Sequence, residues 1–254
     1  MDKIVFRKPK LLNDTPMHYC PGCTHGIVHR LIAEALEELG DTDNVIGIAP
    51  VGCAVFAYNY FTCDMFQAAH GRAPSVATGV KRANPNSTVF VYQGDGDLAS
   101  IGMAEIVHAA TRGENITVIF INNGIYGMTG GQMAPTTLPG QKTTTSQSGR
   151  NPLEHGNPIK ICEMLSTLTG PAYIARTSVH DVKAVRATRE AIKKGFKMQR
   201  EKKGFSLIEI LSTCPTNFHM SPVAALEYAK TAGCEAYPLG VYKDVEQSNE
   251  VKGK

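Results

Sequence analysis

Along the chain, short runs of apolar and β-branched residues alternate with longer stretches whose apolar positions recur every three or four residues. Residues 45–48 (VIGI), 88–92 (TVFVY), 116–121 (ITVIFI), 172–175 (AYIA) and 206–211 (SLIEIL) read as strands. Their nearly continuous apolar character predicts a parallel sheet covered on both faces. Between them, Ile27, Leu31, Ala35 and Leu39 repeat at helical spacing before Gly40. Ile101, Glu105 and His108 lie on a second helical stretch that stops near Arg112-Gly113, where a glycine suits the C-terminal cap. Asp181 is placed to cap residues 182–203, whose Lys/Arg-rich end suits a helix C-terminus. A shorter helix is expected over 75–82. Repeated β–α alternation predicts an α/β protein, a doubly wound, mainly parallel sheet flanked by helices.

Two stretches depart from this rhythm. Residues 122–158 have little periodicity and many Gly, Thr, Pro and Gln residues, and a loop that long in a compact domain is expected to bind or cover something. From residue 215 onward the chain reads as an irregular extension, apart from a helix over 222–232, and its polar end, 246–254, is expected to fray. The chain shows no internal repeat. Its length fits one domain spanning 1–254, able to hide roughly 70–75% of its unfolded surface.

Composition narrows the function classes. Hydrophobic residues make up 43% and charged residues 19%, as in a globular protein in water. The net charge of +3 is too weak to argue for nucleic acid, and no basic block interleaves with aromatics. Residues 1–9 lack the apolar core of a secretory signal, and the apolar run 116–121 is too short to span a bilayer. A cytoplasmic protein without membrane contact is expected. Its seven cysteines then read as thiols, metal ligands or redox groups rather than disulfides.

Ligands of open α/β sheets bind outside the carboxyl ends of the strands. Cys53 follows the first predicted strand, Gly94-Asp95-Gly96-Asp97 the second, Asn122-Asn123 the third, and Cys214 the last, so four chemically loaded segments share one sheet edge. Glycines at a strand-to-helix turn let backbone approach a ligand, and the following N–H groups suit an anion. Mg²⁺ takes oxygen ligands and bridges protein to phosphate. The Asp95 carboxylate, the Asn123 amide oxygen and a backbone carbonyl near Ile125 supply half of such a shell. The competing reading, a Gly/Asp turn with Asp95 or Asp97 as a helix cap, loses weight once Asn122-Asn123 ends the neighbouring strand. His70-Gly71-Arg72 reads either as a phosphate-binding pair or as a solvated surface pair. Thr129-Gly130-Gly131-Gln132 reads either as a flexible polar loop or as donors closing over a ligand.

Cys20-Pro21-Gly22-Cys23 is the sharpest cysteine signal, and with Cys53 and Cys214 it makes four thiols. Four thiols fit Zn²⁺ or a [4Fe–4S] cluster equally well on ligand count. Cys63, Cys162 and Cys234 have no partner at metal spacing and read as buried free thiols. His25 reads as a capping or packing residue, and the basic run 186–203 as a solvated helix face.

The ordered set CPGC, VGC, AAHGRAP, YQGDGDLASIG, INNGIYGMTGGQMAPTT and STCP resembles the β, thiamine-diphosphate-binding subunit of the 2-oxoacid:ferredoxin oxidoreductases, across residues 20 to about 214. The resemblance implies a thiamine-diphosphate-binding fold with Mg²⁺ at Asp95, Asn123 and the Ile125 carbonyl. It implies Cys20, Cys23, Cys53 and Cys214 as ligands of one [4Fe–4S] cluster, with a cluster-binding segment over about 1–25. His70, Gly71 and Arg72, with Gly94, Gly96, Asp97 and Thr129, Gly130, Gly131 and Gln132, become contacts of the cofactor or substrate pocket. It also implies partners: an α subunit with the carboxylate that activates the aminopyrimidine, a γ subunit or domain, a small ferredoxin-like δ subunit, ferredoxin, coenzyme A and a 2-oxoacid. Such an enzyme decarboxylates a 2-oxoacid oxidatively with coenzyme A, giving acyl-CoA and CO2.

For the substrate, Phe56, with Tyr58 and Tyr60, places apolar aromatics after Cys53, which favours a branched or aromatic 2-oxoacid over 2-oxoglutarate, whose distal carboxylate wants a cation. VGCAVFAYNYF and GGQMAPTT resemble the 2-oxoisovalerate-type members. Alternatives are the same chemistry on 2-oxoglutarate or pyruvate, a non-redox thiamine-diphosphate decarboxylase or synthase, and a zinc-stabilised scaffold without catalysis.

Overall fold

In the computed structural model, which describes residues 7–247, the apolar runs become the central strands of a seven-stranded sheet. The N-terminal helix α1 (His25–Glu38) leads into β1 (Val45–Ala49), a 3-10 segment (Cys53–Asn59) and the edge strand β2 (Asp64–Gln67). Helix α2 (Ala73–Ala83) precedes β3 (Thr88–Gly94), and a π-helical turn (Asp97–Ile101) runs into α3 (Met103–Thr111). Strand β4 (Thr117–Asn122) opens the long loop, which holds a two-residue hairpin, β5 (Ile125–Tyr126) and β6 (Gln132–Met133), and the short helix α4 (Pro152–His155). Helix α5 (Ile161–Ser166), β7 (Pro171–Ser178), α6 (Val182–Arg200) and β8 (Phe205–Leu211) complete the alternation. The chain then runs through α7 (Pro215–Phe218), α8 (Pro222–Tyr228) and α9 (Cys234–Ala236) to β9 (Gly240–Asp244).

The large sheet has the order β2-β1-β3-β4-β8-β7-β9, and all its strand pairs are parallel except β7–β9. Alternate residues of the central strands face two different cores. Phe90, Tyr92 and Ile119 pack with Val28, Ile32 and Leu36 of α1 and Ile192 and Phe196 of α6. Val89, Val91 and Phe120 pack with Ala77 of α2, Ile106 of α3 and Leu165 of α5. This two-faced burial explains why these strands carry no polar alternation. Asp181 caps α6, its side chain accepting from Ala184 N–H at 2.8 Å, and the basic residues of that helix pair outward with Glu38, Asp244 and Glu246.

The C-terminal stretch is more ordered than its composition suggests. Helix α8 continues through a π-helical turn (Ala229–Gly233) into α9, so the helix expected over 222–232 is present, and the chain then returns to the sheet as an antiparallel edge strand. Strand β9 (GVYKD) and the exposed, polar β2 (DMFQ) lack the apolar run of a central strand because each has a neighbour on one side only. The expected fraying of 246–254 falls mostly on residues 248–254, outside the described residues, as do residues 1–6 of the N-terminal segment. Among the described residues no helix is long and apolar enough to cross a membrane.

Strand order reverses between β1 and β3: β2 lies on one side of β1, and β3, β4 and β8 extend on the other. That reversal opens a crevice at the carboxyl ends of β1 and β3, the general ligand position of such sheets.

Candidate cofactor cleft and thiol cluster

A cleft opens at this crevice. It is lined by Val51 to Ala54 after β1, by Gly94, Asp95, Gly96 and Asp97 after β3, by Asn123 and Ile125 to Thr129 after β4, and by His25 and His70. Gly96 is required by a close approach: a Cβ there would stand 2.2 Å from the Tyr126 ring, whose hydroxyl donates back to Gly96 O at 3.2 Å. The π-helical turn beginning at Asp97 lies directly after this crossing, a deviation frequent at functional sites.

Asp95 is almost wholly buried. Its Oδ1 accepts from Gly96 N–H at 2.8 Å, and its Oδ2 from Gly124 N–H at 2.7 Å and Thr136 Oγ1 at 2.5 Å. Burial pushes its carboxyl up to about 6, against the pull of the donors from Thr136, Gly124 and Gly96. A buried, oriented carboxylate without a protein cation is a suitable cation ligand. Asn123 and Ile125 line the same cleft, with Asn123 Oδ1 accepting from Ile125 N–H at 3.3 Å. Asn122 points the other way: its Nδ2 donates to Glu209 at 2.7 Å, and Glu209 pairs with the fully buried Arg176 at 2.8 Å.

Asp97 also lines the cleft, but its carboxylate holds the preceding loop. Oδ1 accepts from Gly71 N–H at 2.7 Å and contacts His70 Nδ1, and Oδ2 accepts from Gln93 Nε2 at 2.5 Å. His70 is thereby fixed on the cleft wall. Its neighbours are not on that wall. Arg72 turns away and pairs with Glu105 of α3, since a carboxylate one helix away is its nearest charge. Gly71 is buried with its backbone against Ile101 and Gly102.

Other expected contacts separate in the same way. Thr129 reaches the cleft, whereas Gly130, Gly131 and Gln132 lie beyond its lining. Gln132 is clasped to Thr129, its Oε1 accepting from Thr129 Oγ1 at 2.6 Å and its Nε2 donating to the Thr129 carbonyl at 2.8 Å, and Gly131 packs on Asn217. Phe56 is turned from the cleft onto His18, edge to face with ring centroids 4.0 Å apart, because the 3-10 segment directs it at the core under α1.

Cys53 and Cys214 flank Gly127; a Cβ there would lie 3.5 and 3.4 Å from their sulfurs. Cys20 and Cys23 close a tight turn, Cys23 N–H donating to Cys20 O at 2.9 Å, with Gly22 at φ +80°. Thr24 Oγ1 and Ser212 Oγ, 2.5 Å apart, and Thr213 Oγ1 donating to Gly22 O at 3.2 Å bind this turn to the end of β8. The thiols feel one another. Burial pushes Cys23 up to about 12 and Cys53 up to about 11, with Cys214 and Cys20 adding to both. Thiols that resist ionising together fit a multivalent cationic group, which reverses that balance. Among the described residues, no three His, Cys, Asp or Glu side chains are grouped closely enough to hold a single metal ion. Of the remaining cysteines, Cys162 is buried, while Cys63 and Cys234 are partly exposed.

Sequence reasoning missed four residues here. His25, expected to cap or pack, lines the cleft. Thr136 supports Asp95, Tyr126 crosses Gly96, and Asn217 donates to Cys214 Sγ at 3.2 Å and to Gly127 O at 3.0 Å. Tyr126 and Thr136 lie within the string INNGIYGMTGGQMAPTT, whereas His25 and Asn217 each stand two residues beyond a string, CPGC and STCP, and carry no signal of their own.

Residues 50–210 match the family described as thiamine pyrophosphate enzyme, C-terminal TPP binding domain, the class that this fold and cleft define. The ketoisovalerate oxidoreductase subunit VorA of Methanothermobacter thermautotrophicus is 48% identical, over 98% of this chain and 54% of that relative. The 2-oxoglutarate synthase subunit KorB of Methanocaldococcus jannaschii is 39% identical, over 94% of this chain and 85% of that relative. A solved 2-oxoglutarate:ferredoxin oxidoreductase from Magnetococcus marinus superposes with a TM-score of 0.75 at 29% identity, covering 96% of this chain and 87% of that one. This chain belongs to the 2-oxoacid:ferredoxin oxidoreductases, as a β-type subunit that carries the thiamine-diphosphate-binding fold. It spans about half the length of the VorA relatives it matches.

Proposed function

We propose that this chain is the diphosphate-holding half of a cytoplasmic 2-oxoacid:ferredoxin oxidoreductase that converts a branched-chain 2-oxoacid and coenzyme A to acyl-CoA and CO2, with electrons leaving for ferredoxin. The observation that carries it is the meeting of two donor sets at one sheet edge: the buried Asp95 carboxylate, and the thiols of Cys53 and Cys214 beside Gly127. Asp95, Asn123 and the Ile125 carbonyl are the Mg²⁺ ligands, and the turn at Gly94 to Gly96 cradles the diphosphate. Thiamine diphosphate supplies the carbanion-stabilising thiazolium. Cys20, Cys23, Cys53 and Cys214 hold a [4Fe–4S] cluster. Four thiols beside the cofactor cleft suit an iron–sulfur cluster better than zinc, because redox-inert Zn²⁺ could not carry electrons away from the thiazolium. They equally set this chain apart from a non-redox decarboxylase.

The chain's own residues bind and orient. Asp97 holds His70 against the cleft, Thr136 holds Asp95, and Tyr126 closes over Gly96. The carboxylate that activates the aminopyrimidine belongs to an α partner, and γ and δ components complete the assembly. The domain acts as one unit, with the cluster turn near its N-terminal end and the segment after β8 joined to the cradle through Tyr237, which donates to the Thr136 carbonyl.

A branched-chain substrate is supported by the two VorA relatives, at 48% and 46% identity, and by a lining that is neutral or acidic apart from its two histidines. The aromatic argument from Phe56 does not add to it, since that ring faces His18. The KorB relatives favour 2-oxoglutarate as the second reading. Anaerobic isolation should give about four irons per chain and stoichiometric thiamine diphosphate. The assembled complex should reduce viologen faster with 2-oxoisovalerate than with 2-oxoglutarate or pyruvate; a 2-oxoglutarate preference would refute the substrate assignment.

A further inference from the structure

His25 sits on the first turn of α1, buried, with one edge on the cleft beside Cys53. Its Nδ1 lies 2.5 Å from the hydroxyl of Tyr92, a residue with no solvent exposure. That hydroxyl makes no other hydrogen bond among the described residues. A buried phenol O–H left without an acceptor is unfavourable, so it donates, and Nδ1 is the acceptor. In the neutral ring the proton then resides on Nε2. Nε2 has no partner among the described residues and is not one of the polar atoms sealed from solvent, so its N–H is presented to the cleft.

The ring cannot easily turn. Tyr19 stacks on it with ring centroids 4.8 Å apart and an interplanar angle of 21°, and Tyr92 packs edge-on at 5.6 Å. Tyr19 is itself anchored through its hydroxyl to His29 at 2.8 Å. A donor with its tautomer and orientation fixed before the ligand arrives loses little on binding one.

The geometry points to His25 as a fixed Nε2–H donor to the 2-oxocarboxylate head of the substrate, with Tyr92 as the positioning residue that sets its tautomer. This rests on the reading of the cleft as a 2-oxoacid site. The other imidazole on the wall, His70, is held by the Asp97 carboxylate, whereas His25 faces a neutral phenol; Cys53 and the acidic groups of the cradle are not such donors, and an electron-rich oxygen is the ligand an imidazole N–H recognises.

The test uses the assembled complex loaded with Mg²⁺ and thiamine thiazolone diphosphate, which does not turn over, and measures binding of labelled 2-oxoisovalerate by equilibrium dialysis. Iron and cofactor content are measured on the same samples. His25→Leu should weaken binding about tenfold or more, and His25→Gln, which keeps an N–H donor, should stay within about threefold of wild type. Tyr92→Phe keeps the packing but frees the tautomer, and should weaken binding about threefold to tenfold. Unchanged binding in His25→Leu, or His25→Gln as weak as His25→Leu with full cluster and cofactor, would overturn the role of His25. Unchanged binding in Tyr92→Phe would overturn the tautomer argument, and it decides the matter if His25→Leu does not fold. Failure of the wild-type assembly to bind 2-oxoisovalerate would overturn the site reading and this inference together.

Discussion

Thr136 Oγ1 donates to Asp95 Oδ2 at 2.5 Å, while the carbonyl of the same threonine accepts from Tyr237 OH at 2.9 Å. One residue of the long loop thus joins the cradle to the C-terminal segment. Asp95 keeps two backbone donors without it, so the hydroxyl refines the carboxylate's direction rather than holding it alone. Thr136→Val should therefore lower Mg²⁺–thiamine diphosphate affinity about tenfold, the worth of one hydrogen bond to a charged group, and Thr136→Ser should restore it. Calorimetric titration of cofactor into the cofactor-free complex at fixed Mg²⁺ checks this; equal affinity in the valine variant would remove Thr136 from the cradle.

A second support lies on the thiol side. Asn217 donates to Cys214 Sγ at 3.2 Å, and a donor to a cluster sulfur stabilises the more negative, reduced state. Asn217→Leu should lower the reduction potential of the proposed cluster by about 40 mV, from about 1 kcal/mol and a one-electron couple of 59 mV per tenfold. A redox titration followed by electron paramagnetic resonance reads this directly. An unshifted potential with intact iron content would show that this hydrogen bond does not act on the cluster.

How much of this was visible beforehand depends on what each residue answers to. The strands at 88–92 and 116–121 were legible because both faces are buried, so their apolar runs carry the fold by themselves. Strand β9 was not, because an edge strand needs no such run. Within the site, Asp95 and Asn123 stood out through their position at strand ends, which topology alone converts into proximity. Arg72 and Phe56 have chemistry that fits a pocket, yet the directions of their side chains depend on Glu105 and His18, distant in sequence. His25 is the converse case: nothing local announces that Tyr92, 67 positions on, engages its ring. Residue type was readable; side-chain direction was not.

The buried Arg176 supplies the last prediction. It pairs with Glu209 at 2.8 Å, and with Glu163 through Nη1 at 2.9 Å and Nη2 at 2.5 Å, while Glu209 holds Asn122 beside the cradle. Burial alone pushes the Glu163 carboxyl up, but Arg176 outweighs it and holds the group below the ordinary glutamate range. A carboxyl depressed in the folded state stabilises the protein above its unfolded value, about 4.3, and that contribution disappears as pH falls through the folded value. Glu163 is about a third exposed, so solvent screening limits the effect to about 1 kcal/mol. Glu163→Gln should lower the urea midpoint at pH 7, and the gap to wild type should close below about pH 4. Because Glu209 still compensates Arg176, the variant should fold and retain cofactor. A gap that persists undiminished well below pH 4, where both states are protonated, would mean that Glu163 acts through packing and not through its charge.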